Sequence, residues 1–502
     1  MKNKLIKFGA MVASAIVLAT SIPAVATAAE SNYSYIYDYW GDVQEMPDSY
    51  SVCNVFTSAE LGLDLKLNNP SGMYVKDDTI YVCDTGNNRI VVLKRVGFDQ
   101  IYVTQIIDEI YGDVEEKKLN GPTDIAVSDE GNIFIADKNN GRVLKLDSEL
   151  NYILEFGKPD DSSLTEDSTF LPHKIVIDTA ERVYCISTGI NKGLIKYEAD
   201  ATFSGFVGAT KVDYNFGQYL QKRFASQEKL KRMESFVPTE YDNLYMDNEG
   251  FIYAVISKFE DEAKLKTGDA QAVRKLNMLG DDILVRNGTY HPFGDLYMGT
   301  GGGYTGASQF KDVTVLDNDI YICLDGNRGR LFGYDDQGKM VFIFGGNGNM
   351  DGYFRRPVAI EHMGKDLLVL DSLDCSITLF TTTEFGELIY TAMDTFDEGE
   401  YEASAAAWTE IMKQDGNYEL AYIGLGRANL RQKNYSEALS YFELKYDEVN
   451  YSKAFQQYRK KWVEKNIAII VIVILALFLI PLGIGKINSI KREIDREDFF
   501  KK

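Results

Sequence analysis

Phe344-Gly345-Gly346-Asn347-Gly348-Asn349-Met350-Asp351-Gly352-Tyr353-Phe354-Arg355-Arg356-Pro357 is the stretch that decides the fold. Its glycines permit tight turning, and Pro357 opens a strand without owing a ladder hydrogen bond. The phrase marks a strand-to-strand crossing that recurs along the chain. Laid on itself at a spacing of about 40 to 50 residues, the chain shows six aligned segments, the signature of blades or a solenoid.

The second strands of these segments fall at 80–84, 133–137, 183–187, 252–256, 320–324 and 367–371. Each is rich in β-branched, aromatic or aliphatic residues, as a buried strand requires. Shorter first strands open at Pro70-Ser71-Gly72-Met73, Pro122-Thr123-Asp124-Ile125, Pro172-His173-Lys174-Ile175 and Pro357-Val358-Ala359-Ile360. Tight turns then lead into third strands at Asp84-Thr85-Gly86-Asn87-Asn88-Arg89, Asp137-Lys138-Asn139-Asn140-Gly141-Arg142 and Asp325-Gly326-Asn327-Arg328-Gly329-Arg330. In these turns the chain resembles the NHL-repeat family, which implies a six-bladed β-propeller over roughly residues 50 to 380. The resemblance is weak in blades three and four, where Ser187 and Ile256 stand in place of the aspartate.

A ring avoids an open edge only if its last blade is completed from the other end of the chain. Blade six stops after its third strand, 377–381, so the expected fourth strand is Tyr50-Ser51-Val52-Cys53-Asn54-Val55-Phe56-Thr57. Beyond it a second period appears, because Tyr401 and Tyr435, Trp408 and Phe442, and Ala392 and Gly426 are each 34 residues apart. That spacing resembles tetratricopeptide repeats. The fold class expected is mainly β: a six-bladed propeller, an α-helical tetratricopeptide module and one transmembrane helix.

Lys2, Lys4 and Lys7, the apolar run from Phe8 to Ile22 and the small residues 24–29 form a secretory signal. Twenty residues from Asn466 to Gly485 carry no charge, long enough to span a membrane. The cationic tail after them suits the cytoplasmic side. The expected organisation is a signal peptide at 1–29, an extension at 30–49, the propeller at 50–383, repeats with a capping helix at 384–465, the span at 466–485 and a tail at 486–502. The propeller then lies outside and the tail inside, as on a Gram-positive cell surface.

The formal charge is −22. The signal carries +3, residues 459–465 carry +3 and the tail +2, which leaves −30 on residues 30–458. Such acidity excludes nucleic acid, whose affinity comes mostly from neutralised phosphates. It suits a solvated surface, and it leaves room for a cation-rich ligand. The five cysteines are read as buried thiols, with Cys53 and Cys375 the one pair that closure of the ring brings onto neighbouring strands.

Six-bladed propellers of this resemblance include lactonases and lyases with a metal at the channel mouth, as well as binding modules. A zinc site of the lyase type needs several convergent histidines, and the three here, His173, His291 and His362, fall at different levels of the blades. A calcium site of the lactonase type draws on the starts of the first strands, which read Gly72, Asp124, Lys174, Asn243, Asp312 and Ala359. Any metal is therefore expected at Asp124, Asn243 and Asp312, with Lys174 opposing it. The rim aspartates Asp84, Asp137, Asp325 and Asp371 are read as caps of their own turns.

Loop lengths are uneven: the turns between first and second strands are short, whereas insertions at 158–171, 215–236, 258–271 and 288–309 all belong to the opposite face. Long loops clustered on a rigid scaffold are where binding is usually placed. Residues 216–235 are expected as a flap over the mouth, and Asp124, Lys174, Asn243, Asp312, His173 and Tyr304 as ligand contacts there. The function expected is a membrane-anchored receptor or scaffold, with the helical module docking a protein such as a transporter, and with carbohydrate as a ligand suggested by 32 tyrosines. The alternative is a calcium- or zinc-dependent lactonase or lyase.

Overall fold

The computed structural model describes residues 33–165, 167–208, 240–301 and 303–500, with side chains to residue 494. The expected signal peptide and the flap at 216–235 lie outside the described residues. The chain divides into two compact units, Met1–Glu387 and Leu388–Lys502.

The first unit is a six-bladed propeller. Blade one runs Gly72–Lys76, Thr79–Asp84, Arg89–Val96 and Gln100–Ile107 as an antiparallel meander. Blades two, three and five repeat that order, and blade four has three strands among the described residues. Each first strand contacts the first strands of both neighbouring blades, which closes the ring around an axis. Each second strand is buried along most of its length, so the apolar runs of the sequence have become the sheet cores.

Tyr50–Thr57 pairs antiparallel with Ser376–Thr382 and supplies the fourth strand of blade six. The extension before it is also structured: Tyr35–Tyr37 pairs with the outer strand of blade five at Ile343, and Val43–Glu45 pairs with Tyr35–Tyr37. The amino-terminal segment thus laces blades five and six together. All five cysteines are free. The register opposes Ser376 to Thr57 and brackets Cys53 between the Asn54–Leu379 and Val52–Phe380 pairs. Cys375 therefore lies about four residues, roughly 13 Å, further along the ladder from Cys53, beyond the reach of a disulfide.

The second unit is helical. Helices Tyr401–Gln414, Glu419–Arg431 and Tyr435–Leu444 pack consecutively, and the last packs on the long helix Glu448–Phe500. Short connections favour antiparallel neighbours. The expected capping helix and membrane span are one continuous helix, whose start buries Ala454 against Ala438 and Phe442. It is long and apolar enough to cross a membrane, and its apolar stretch is exposed. Gly424 and Gly426 allow the close helix approach, since a Cβ at Gly424 would lie 2.3 Å from the Trp408 ring and one at Gly426 2.5 Å from Phe442. Gly424→Leu should overpack this contact and cost about 1–3 kcal/mol despite better helix propensity. Thermal unfolding followed by helical circular dichroism would show it, and an unchanged midpoint would contradict this packing.

Candidate functional site: an acidic cavity on the propeller axis

Pairing slips by one residue between Pro122 and Asp124, Pro172 and Lys174, Phe310 and Asp312, and Pro357 and Ala359. A bulge re-aims the side chain that follows it. In each of these blades it falls immediately before the position singled out in the sequence.

There the polar groups stitch neighbouring blades. Asp124 Oδ1 accepts from Lys174 Nζ at 2.9 Å and its Oδ2 from the Ile175 backbone N–H at 2.8 Å. Asp312 accepts from Val313 N–H through Oδ1 and from Ile360 N–H through Oδ2, each at 2.8 Å. Asn243 Oδ1 accepts from Leu244 N–H at 2.7 Å. In blade one the corresponding residue is Gly72, where a Cβ would lie 2.3 Å from the Thr123 carbonyl oxygen, so no side chain fits.

Burial shapes the charges of this ring. It pushes the Asp312 carboxyl up to about 7, with Lys174 opposing. Asp124 is raised by burial more than Lys174 lowers it. Burial would lower Lys174, yet Asp124 and Asp312 outweigh it and hold the ammonium charged. Burial and the neighbouring Asp312 push Glu361 well above the usual carboxylate range.

A carboxyl whose folded value is raised binds its proton first in the native state, so its charge costs stability above that value and the cost is relieved as pH falls. Between about pH 8.5 and 6.5, the melting temperature should rise modestly as pH falls through the value of about 7 at Asp312. Below this window His173, lowered by burial to about 4, opposes that rise by resisting protonation in the folded state. A melting temperature that falls across the upper window would contradict these assignments.

A cavity of about 720 Å³ lies on the axis. Asp124, Lys174 and Glu361 are at its floor, and it opens among the short turns at Asp77, Glu130, Glu249 and Asp317. Ten carboxylates line it against two lysines. The described cavity therefore opens on the plain face, opposite the face that carries the long insertions. The sequence-predicted residues divide accordingly. Asp124 and Lys174 line the cavity, while Asn243 and Asp312 are buried beside it in the ring. His173 lies at the start of its strand, 3.5 Å from Thr188 Oγ1. Tyr304 stacks under the Arg328 guanidinium, 4.3 Å away, in blade five.

The long loops at 258–271 and 288–309 pack on each other, with Glu262 accepting from Ala307 N–H at 2.9 Å and Leu265, Phe293 and Ala307 sharing one core cluster. His362 is within the first strand of blade six, not in the turn after it, and its Nδ1 is 2.7 Å from Thr314 Oγ1. It and Glu361 line the cavity, and the sequence reading passed over Glu361. The available signal was a carboxylate inside the otherwise apolar strand Val358-Ala359-Ile360.

The rim aspartates latch the repeats instead of binding outward. Asp84 accepts from Asn68 N–H, Asn87 Nδ2 and Arg89 Nε, and Asp137 repeats the set with Asn120 N–H, Asn140 and Arg142. Asp371 accepts from four backbone N–H groups. In blade three Ser187 keeps one of these bonds, from Leu171 N–H.

Comparison with known proteins finds distant similarities. Virginiamycin B lyase from Staphylococcus aureus is similar at 9% identity over 66% of this chain and 99% of its own, with a TM-score of 0.38. A Bacteroides thetaiotaomicron protein of unknown function is similar at 12% identity over 68% and 80%, TM-score 0.41. Hydrazine synthase from Kuenenia stuttgartiensis is similar at 10% over 72% and 99%, TM-score 0.35. At these identities none transfers an activity to this chain. No curated protein sequence matches it. Residues 67–93 and 119–146 match the NHL repeat, and they span the first three strands of blades one and two. The chain carries NHL repeats in a six-bladed β-propeller followed by helices, one of which is long and apolar enough to cross a membrane.

Proposed function

We propose that this protein is a membrane-anchored, extracytoplasmic binding scaffold: the propeller holds a ligand, and the carboxy-terminal helices form a tetratricopeptide module that docks a protein partner, a membrane transporter being the natural candidate. The observation that carries this reading is the axial cavity, a preformed container in which the residues expected to hold a metal already have structural bonds. Both oxygens of Asp124 and both of Asp312 accept hydrogen bonds, and Asn243 Oδ1 is bonded to its own strand. A calcium ion takes six to eight oxygen ligands, and a lactonase-type site at Asp124, Asn243 and Asp312 would have to share oxygens that already hold the strands and the Lys174 ammonium. The 34-residue spacing and the Gly424 and Gly426 contacts support the tetratricopeptide reading.

The test is protease accessibility in intact cells combined with crosslinking of the full chain in its native membrane. The expected result is a propeller cleaved from outside, a tail cleaved only after lysis, and one crosslinked membrane protein that is lost in Gly424→Leu. A propeller protected in intact cells would overturn the topology, and a crosslink indifferent to Gly424→Leu would overturn the docking role.

A further inference from the structure

Glu361 is unlike the other carboxylates of the cavity floor. It is 9% exposed, lines the cavity, and has no hydrogen-bond or ion-pair partner among the described residues. Asp124 is bonded to Lys174 and Ile175, and Asp312 to two backbone N–H groups, so neither is available to it. A buried carboxyl without a donor is costly and calls for explanation. At the mouth Asp77, Glu130, Glu249 and Asp317 have no ion-pair partner among the described residues. Between floor and mouth the walls present Tyr74, Tyr245 and Met246, each partly exposed, and the tyrosine hydroxyls donate to the Val127 and Val315 carbonyls, which leaves their rings as wall.

Carboxylate, then aromatic and thioether wall, then carboxylates again is the complement of ammonium, methylene chain and ammonium. We propose that the cavity binds a linear aliphatic polyamine, with one terminal ammonium received by Glu361 at the floor and the others held by the carboxylates of the short turns. An anion is disfavoured by ten carboxylates against two lysines. A dication is disfavoured because it needs several oxygen ligands, and Lys174, paired with Asp124, already places a positive charge at the floor. The volume, about 720 Å³, lies in the range of small-molecule sites. Lys174 does not repel the ligand decisively, since Asp124 pairs with it directly and Asp312 and Glu361 lie near it.

Binding should then be linked to a proton. The groups facing Glu361 are Asp312, Lys174 and Asp124, with Tyr74, Tyr245 and His362 on the surrounding walls. Burial and Asp312 push the Glu361 carboxyl well above the usual carboxylate range, so an arriving ammonium favours its charged form and drives a proton off to solvent. Affinity for a polyamine should therefore rise as pH increases.

This inference rests on the propeller being a binding module, but it is tested separately from topology and docking. Spermidine is titrated calorimetrically into the full chain in detergent, in two buffers of different ionisation enthalpy, for the wild type, Glu361→Gln, and the mouth variant Glu249→Gln with Asp317→Asn. The expected result is one saturable site that releases a proton. Glu361→Gln should lose the proton release and roughly thirtyfold or more in affinity, since one partner of a buried charge pair is removed. The mouth variant should keep the proton release and lose only salt-dependent affinity. Glu361→Gln keeps the shape and removes a buried titratable group, so a native melting temperature confirms its fold.

No saturable binding, or binding equal in the wild type and Glu361→Gln, would overturn the proposal. So would Ca²⁺ that binds there and is not displaced by spermidine. A lysine-rich peptide that binds through Glu361 more tightly than spermidine would replace the polyamine with a basic protein segment. None of these failures touches the crosslinking test above.

Discussion

Asp84→Ala is expected to lower the stability of the propeller by about 3–5 kcal/mol, the cost of stranding a buried cation. Arg89 is 6% exposed and its Nε donates to Asp84 Oδ2 at 2.7 Å, while Nη2 reaches the Leu65 carbonyl at 2.6 Å. The same carboxylate holds Asn68 N–H at 2.7 Å and Asn87 Nδ2 at 2.8 Å. Removing it therefore frees the entry loop of blade one and the turn at 85–88 together. The loss should appear as a fall of several degrees in melting temperature, and as faster hydrogen exchange at Asn68 and through the turn. The corresponding Ser187→Ala in blade three removes one bond from Leu171 N–H and one to the Thr188 carbonyl, with no buried charge stranded, and should cost only about 1 kcal/mol. Equal losses at the two positions would show that the aspartate latch is not what holds these repeats.

The second large effect is expected at ring closure. Tyr50 is fully buried where the closing strand begins, stacked on Phe344 at 5.2 Å, edge-on to Phe342 at 5.4 Å, and donating its hydroxyl to the Lys365 carbonyl at 3.0 Å. These partners belong to the outer strand of blade five and to the turn before the second strand of blade six. Tyr50→Ala should leave a cavity between the two blades and cost about 3–5 kcal/mol. Exchange should quicken first along Tyr50–Thr57 and Ser376–Thr382, because that ladder joins the two ends of the propeller. Uniform loss across all six blades would mean that closure is not a separate step in opening the ring.

Much of this was legible in the chain because it follows from local chemistry repeated several times. The apolar second strands, the Asp-to-Arg turns and the prolines that open first strands each state their role within a few residues, so the six blades and the missing fourth strand could be read directly. The helix approach at Gly424 was similarly visible, since only small residues admit Trp408. Asp84, Asp137 and Asp371 were readable as turn caps for the same reason.

The site was less legible. The amino-acid order placed Asp124, Lys174, Asn243 and Asp312 at one level of the ring, and the bulges that follow Pro122, Pro172 and Phe310 do gather them there. It could not show that Asp124 and Asp312 bond to Ile175 and Ile360, because those bonds run to the next blade. Long loops drew attention to one face, while the described cavity opens on the other, since the depth of an axial pocket depends on how far the first strands splay and not on loop length. Nor could the chain alone separate Cys53 from Cys375 along a ladder whose register is set by the closing strand. By itself the sequence determined the repeat, the closing strand and the apolar helix, which are properties of neighbours along the chain. Only the tertiary structure decided that Glu361 stands without a partner among the described residues and beside buried charges, because that is a property of six strands meeting around one axis.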